Sequence, residues 1–519
     1  MRSAWLVVLV ACAPPARPAS SGDAPAALDG AADALWSTDA APALEGYGGP
    51  FFDFPKDPIV DGVPDLTSAF AGPASGDAPC LAEPADGALL PRNWMRPRFE
   101  WSASGNVYQV TVRTASEHGA LVAFVAKPAW TMPEPIWAKL ATHVVDEPIE
   151  VEVRSGTWDG AQLWGPSAPA VAHFTIAPVA APGELVYWTS TGGTSLHGFH
   201  LGDETVATLL TPAQTGSGCI GCHVVTPDGA FFAFENNAPT SLAVRATDGT
   251  LQPAPFVTPA AQQILSRPEF EWPQFSAQHY TDGDLVMIAE HANADREEVT
   301  WIDLQATSQE QGAGWGVLAR PNDPRSAATP SFAHTSDAIV YASATAVSPI
   351  SITDGDLAIL PFGNRMGGPV TFVAGASTDE YNEYEPAFSP DDRLLAFARV
   401  QTGLYSYANP TGEVDVIPAD GGVPQRLAAN DWACRSPTAF PGNSWPKWSP
   451  RAVDAGGKRY YWLAFTSTRR GAAQLFITPL VDDGGTLRSY PALYPWNQHR
   501  DEYNHTPAWF ESDVVPATR

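Results

Sequence analysis

From residue 183 onward the chain keeps returning to one phrase: a proline, any residue, an aromatic, Ser-Pro-Asp, a turn, then an apolar run closing near Ala-Phe. It is clearest over Glu385-Pro386-Ala387-Phe388-Ser389-Pro390-Asp391-Asp392, which closes on Leu394–Phe397. It returns as Trp445-Pro446-Lys447-Trp448-Ser449-Pro450, closing on Leu463-Ala464-Phe465. Looser copies are Trp272–Ser276, Thr329–Phe332 and Thr506–Trp509, and Val225-Thr226-Pro227-Asp228-Gly229 falls in the same register. The copies are about 50–60 residues apart, and all but the last are followed by a second apolar segment. That period is one four-stranded propeller blade. With 50 Pro, 43 Gly and only 17% charged residues the chain suits short strands and turns rather than helices, so the fold expected is all-β.

The sixth copy, Thr506–Phe510, supplies a first strand and then the chain stops. Its missing partners stand just before the first full copy, at Leu185–Thr189 and Ser195–Leu201. A last strand completing the first sheet is how a propeller closes, and the expectation is a six-bladed β-propeller over 183–519. The phrase resembles the β-propeller repeats of the TolB family, closely in two copies and loosely in four. The resemblance implies a periplasmic or surface propeller that binds partners through its faces; it does not imply catalysis.

Residues 88–180 alternate differently. Short apolar runs at Arg98–Trp101, Val107–Arg113, Ala120–Ala126, Ile149–Val153 and Val171–Ala177 suggest a small β-sandwich, whose layout resembles fibronectin type III or other Ig-like modules. Pro135–Leu140 reads as a short helical turn. Residues 12–87 are rich in Ala, Pro, Gly and Asp and read as a partly disordered tether, with aromatic anchors at Trp36 and Tyr47–Phe54. Residues 1–11 read as a signal peptide, and Leu9-Val10-Ala11-Cys12 resembles the bacterial lipobox, which implies lipidation of Cys12 and an outer-membrane lipoprotein facing the periplasm or cell surface. No later segment has the roughly 18 apolar residues of a membrane-spanning helix. A net charge of −28, without a basic stripe, argues against nucleic acid as a partner.

Of the five cysteines, Cys80 and Cys434 form an even pair suited to a disulfide in an exported protein, with two separate thiols as the alternative. Cys219 and Cys222 stand in Cys219-Ile220-Gly221-Cys222-His223, the spacing by which two thiols add across the vinyl groups of haem c while the next histidine ligates iron. With this composition the spacing arises by chance about once in a thousand chains. A zinc site would want a second cysteine pair, and a thioredoxin-like pair a βαβ setting. Repeat register places His223 where other copies carry Pro273, Pro330, Pro386, Pro446 and Pro507, hence at one mouth of the central channel. His505, two residues before Pro507 in the closing strand, is the candidate for the far side of the iron; His499, His279, His291 and Met287 are weaker ones. The echo Asp379-Glu380-Tyr381-Asn382 and Asp501-Glu502-Tyr503-Asn504 reads either as blade-to-blade hydrogen bonding or as an oxygen-lined cation site. Three functions follow: an electron-transfer lipoprotein with one covalent haem and a redox or protein partner at a propeller face, a TolB-like interaction scaffold, or a haem enzyme. No catalytic residue is identified.

Overall fold

The computed structural model describes residues 54–191, 193–236, 241–247, 253–293, 295–347, 351–434 and 440–511. The signal peptide and Cys12 lie outside them. Among the described residues, six antiparallel sheets follow one another between Glu184 and Phe510. The first joins Ala207–Leu210, Ser195–His200 and Glu184–Thr189 to the distant Asn504–Phe510. The second has Ile220–Val225, Phe231–Asn236 and Leu242–Ala246. The third, fourth, fifth and sixth begin with Phe270–Thr281, Ser326–Phe332, Tyr381–Phe388 and Asn443–Trp448 and each meanders outward through three more strands, the sixth with an extra strand at Val453–Ala455.

Each first strand lies against the first strand of the next sheet, and Asn443–Trp448 touches Asn504–Phe510, which touches Ile220–Val225. The first sheet therefore contains both ends of this part of the chain, with Leu185 opposite Trp509 and Glu184 opposite Phe510. This is the topology of a β-propeller. Trp509 seals the join: its indole is buried, and its Nε1–H donates to the Pro182 carbonyl at 2.7 Å. A buried Trp of this size is worth several kcal/mol, so the closing strand is among the most stabilising in the ring.

The Ser-Pro-Asp phrase is legible because it ties sheets together. Asp391 accepts from Ser389 Oγ at 2.8 Å and, from the sixth sheet, Tyr461 OH at 2.8 Å and Arg459 Nη1 at 3.0 Å. Asp392 accepts backbone N–H groups of His334, Thr335 and Ser336 in the fourth sheet at 2.7–2.8 Å. One dipeptide thus holds both neighbours of the fifth sheet.

The N-terminal region departs from expectation in two places. Residues 54–87 are not merely a tether: Phe54 is buried in the core, Ile59–Asp61 pairs in parallel with Leu121–Val125, and Cys80–Glu83 pairs with Arg98–Ser102. The helical turn is a full helix over Glu134–His143, because Ile136, Trp137, Leu140 and Ala141 give it one buried face. Around it stand a seven-stranded mixed sheet and the three-stranded sheet Cys80–Glu83, Arg98–Ser102 and Ala129–Thr131. Their core continues without a break into the first and sixth propeller sheets through Leu185, Tyr187, Phe199, Tyr460 and Trp462. Arg470 spans the seam to Glu83 (3.3 Å) and Glu100 (3.0 Å), and a Cys80–Cys434 disulfide crosses it, with Cα atoms 5.6 Å apart.

Candidate functional site

The six first strands share a backbone device. Each carries a bulge, and within it a non-glycine residue of positive φ: Cys222 (39°), Trp272 (54°), Thr329 (49°), Glu385 (53°), Trp445 (55°) and Thr506 (53°). In five sheets the next residue is proline; in the second it is His223. L-residues other than glycine rarely adopt this conformation. Its sixfold return marks it as architecture rather than as local strain at one site. The amides of these residues knit the ring. Trp272 N–H donates to Glu235 (3.3 Å), Thr329 N–H to Glu290, Glu385 N–H to Thr329 Oγ1 (3.2 Å), Trp445 N–H to Glu385 (2.6 Å) and Thr506 N–H to Thr466 Oγ1 (3.2 Å).

At the second sheet this device brings the haem-motif residues against the first sheet. Ile220 N–H donates to Thr194 Oγ1 at 2.9 Å, and Gly221 lies under the Trp188 ring, where a Cβ would come within 3.3 Å. Trp188 packs on His505 with centroids 4.4 Å apart and the two rings tilted by 54°. His505 is held by Ser190 Oγ at Nε2 (3.2 Å) and by Thr506 Oγ1 at Nδ1 (2.9 Å). His223 is 6% exposed; its ring nitrogens make no hydrogen bond of ordinary geometry, and the Val186 carbonyl beside the ring is the group that favours its protonated form. Burial pulls the His223 imidazole down to about 4; burial and the neighbouring His223 pull His505 to about 3. Both rings are therefore neutral at neutral pH, the form that can bind a metal. Cys222 is a half-buried free thiol pushed up by burial and by the Glu235 carboxyl, and Cys219 beside it is buried.

The centre of the ring also holds groups that did not stand out in the sequence. Trp272 and Trp445, from sheets on opposite sides, stack at 4.9 Å and 16°. Burial raises Glu235 to about 7, burial with the Glu235 and Glu297 carboxyls raises Glu271 to about 8, and burial with the Glu271, Glu297 and Glu235 carboxyls raises Glu290 well above its ordinary range. Glu271 and Glu290 stand directly opposite in the strand register, a like-charge pairing that favours the protonated forms. Burial likewise raises Glu385 to about 8 and lowers the neighbouring Lys447 to about 8. The available signal was a glutamate ending or interrupting an apolar strand, as in Ala230–Glu235 and Leu285–Glu290. No cluster of three or more His, Cys, Asp or Glu side chains fit to hold a metal ion occurs among the described residues.

The other iron-ligand candidates differ in how their side chains are held, and the His291 Nδ1, like the His223 ring, is buried without a hydrogen bond. His279 lies between Asp284 (2.8 Å) and Asp337 (3.0 Å), Met287 is in the core of the third sheet, and His291 packs on Phe270 and Trp315. His499 gives its carbonyl to the Asn504 amide at 2.9 Å. The Asp-Glu-Tyr-Asn echo divides. Asn382 is a buried clamp, donating to the Ile352 and Leu404 carbonyls (both 2.9 Å) and accepting Gly355 N–H (2.8 Å), and Asn504 is buried likewise. Asp379, Glu380 and Asp501 remain exposed.

No family model matches the chain, and neither does any curated protein. Solved structures with a similar fold include TolB from Acinetobacter baumannii, 13% identical with a TM-score of 0.38 over 70% of this chain and 80% of that one. An oligogalacturonate lyase in complex with manganese is 10% identical, with a TM-score of 0.31 over 60% and 86%. The dihydro-heme d1 dehydrogenase NirN is 14% identical, with a TM-score of 0.31 over 60% and 54%. The chain is an all-β propeller protein similar to TolB in the arrangement of its strands. These likenesses say nothing of its chemistry. Among the described residues no helix is long and apolar enough to cross a membrane.

Proposed function

We propose that this chain is an exported, lipid-anchored protein in which a fibronectin-like sandwich precedes a six-bladed propeller carrying one covalent c-type haem, and that it passes electrons to a partner docked on a propeller face. The supporting observation is His223: a buried, neutral imidazole that makes no hydrogen bond of ordinary geometry, with the Val186 carbonyl beside it, near a second buried histidine, His505. Leaving a buried polar group unsatisfied costs about 1–3 kcal/mol, and a ligand at that nitrogen removes the cost. Cys219 and Cys222 would hold the porphyrin through thioethers, His223 would bind the iron and His505 would approach its far side. Haem bound this way supplies reversible one-electron chemistry whose potential follows its axial ligands and burial. Both sulfurs must be thiols when the vinyl groups add. Cys12 would carry the lipid.

The test is expression in a host with c-type haem maturation. A haem-stained band should survive denaturing electrophoresis and vanish in Cys219→Ser/Cys222→Ser. A low-spin spectrum that becomes high-spin in His505→Ala supports the electron carrier. A wild type already high-spin and open to carbon monoxide would turn the assignment to a haem enzyme. No Soret absorbance would leave a TolB-like interaction scaffold.

A further inference from the structure

At the closing strand, the Asp-Glu-Tyr-Asn echo stands beside a group of oxygens that the fold leaves unsatisfied. The Tyr187 hydroxyl, Thr189 Oγ1, Asn504 Oδ1 and Glu502 Oε2 are all buried without a hydrogen bond. Thr189 and Asn504 are directly opposite in the strand register of the first sheet. Tyr187 lies two residues along the same face, the one that shares its core with Tyr460 and Trp462 of the sixth sheet. Glu502 and Asn504 converge on one side chain of the sixth sheet, Gln474. Its Nε2 donates to the Glu502 carbonyl at 2.6 Å, and its Oε1 accepts Asn504 Nδ2 (3.4 Å) and the Tyr494 hydroxyl (3.2 Å). Burial and then the Glu502 carboxylate push the Tyr187 hydroxyl up, which keeps it neutral.

The sixth sheet shows what such a place takes. There the equivalent pair is Asn443 opposite Ser467, and Asn443, like Asn504, stands two residues before the residue of positive φ. The Arg469 guanidinium bridges that pair, Nη2 donating to Asn443 Oδ1 at 3.1 Å and Nε to Ser467 Oγ at 2.9 Å. Arg469 comes two residues after Ser467. Two residues after Thr189 the first sheet has Thr191, whose hydroxyl oxygen accepts Tyr503 N–H at 2.7 Å. The other arginines of this seam are committed, Arg470 to Glu83 (3.3 Å) and Glu100 (3.0 Å), and Arg500 to Glu100. Glu502 has no ion pair among the described residues, and its buried Oε2 has no donor.

We propose that Tyr187, Thr189, Glu502 and Asn504 hold one small monovalent cation, sodium or potassium, at the join of the first and sixth sheets. Hard cations take such a mix of carboxylate, amide and hydroxyl oxygens. One carboxylate balances one positive charge, whereas a divalent ion buried here would keep a net charge, which is costly away from water. His197, on the same face, does not compete for the place. Its Nε2 pairs with Ser195 Oγ at 2.7 Å, and burial with the neighbouring His499 pulls it down to about 4, so it is neutral. The ion ties the closing strand to the strand it completes, as Arg469 ties Asn443 to Ser467 one sheet earlier. The proposal does not depend on the haem.

Thermal unfolding of the full-length protein in sodium, potassium and choline chlorides, each at about 150 mM, tests this, since choline is too large to enter and keeps screening equal. The midpoint should be higher in sodium or in potassium than in choline by about 2 °C or more. Glu502→Gln, Thr189→Val and Tyr187→Phe each remove one ligand at nearly constant volume. Each should cut that difference to about half or less and leave the choline midpoint level or higher, because each removes a buried group with an unmet hydrogen bond. Asp501→Asn, which removes the exposed charge next to Glu502, should leave the difference intact. Equal midpoints in the three salts would overturn the proposal and leave buried water to satisfy these atoms. Variants that lose as much stability in choline as in sodium would overturn it too, since the oxygens would then serve the fold alone. A rise with about 5 mM calcium that exceeds the sodium effect and disappears in Glu502→Gln would reject a monovalent ion.

Discussion

Two first strands of the same ring, Ile220–Val225 and Tyr381–Phe388, share a backbone and differ in chemistry. In the fifth sheet the positive-φ residue is Glu385, whose carboxylate accepts Trp445 N–H at 2.6 Å and so serves the ring, and proline follows. In the second sheet the same bend holds Cys222, and the next side chain, His223, is buried without a hydrogen bond. Five sheets make the bend with proline, so the fold does not ask for histidine. A side chain that costs stability where the architecture has a cheaper solution is explained by what it binds. The shared bend is equally instructive: positive φ at Cys222 is not evidence of function, because Thr329 and Thr506 adopt it too.

The comparison presumes a closed ring, and the largest effect is expected from opening it. Deleting residues 501–519 removes Asn504–Phe510, unpairs Glu184–Thr189, and exposes the faces that Trp509 and His505 cover. The bared edge of Glu184–Thr189 invites aggregation. The truncated chain should be insoluble or melt about 10 °C or more below the full one. A soluble truncation with unchanged thermal unfolding would mean that the ring does not depend on its closing strand.

Much of this architecture was legible. The repeat phrase located the first strands because Asp391 and Asp392 must sit at fixed offsets to bind both neighbouring sheets, and the incomplete last copy pointed to the join at Leu185–Thr189. The pairing register of His223 with the prolines is matched by the bulge at each of these positions. The start of the N-terminal domain was less legible. Residues 54–87 are short, proline-rich segments, and the parallel pairing of Ile59–Asp61 with Leu121–Val125 leaves no local periodicity to find. The glutamates were hidden for another reason: a strand-end glutamate is ordinarily solvated, and only the pairing of Glu271 with Glu290 and the packing of the second sheet on the third bring Glu235 to them.

That acid group sharpens the comparison between the two sides of the channel. Glu271 has only carboxyls among its charged neighbours, Glu235 and Glu297, whereas Glu385 has Lys447. Burial lifts Glu271 in the folded chain from 4.5 to about 8. A raised folded value means that stability is fully present below the unfolded value and is lost as pH rises through the folded one. Between about pH 4.5 and 8 the wild type should therefore weaken as Glu271 is forced toward ionisation. Glu271→Gln removes that liability: denaturant midpoints should show a gain of about 1–3 kcal/mol at pH 8 and almost none at pH 5. Glu385→Gln should gain less, because Lys447 loses its counter-charge. A Glu271→Gln effect of equal size at both pH values would show that the carboxyl is not titrating in this window.

The smallest effect on the fold, and the one that tests the comparison most directly, is expected from His223→Pro. The substitution gives the second sheet the sequence that five others use at the same bend, including a preceding residue of positive φ. It removes a buried imidazole that makes no hydrogen bond of ordinary geometry and loses only its contact with the Val186 carbonyl. Proline also restricts the unfolded chain, which stabilises by about 0.4–1 kcal/mol where the native backbone accepts it. Stability of the haem-free protein should therefore stay level or rise by about 1 kcal/mol, while haem-loaded protein loses the spectrum of its proximal ligand. The reverse exchange, Pro386→His, should cost about 1–3 kcal/mol, since it buries an imidazole where nothing awaits it. If both variants lose stability alike, His223 is held by the architecture itself, and its unpartnered ring no longer points to a cofactor.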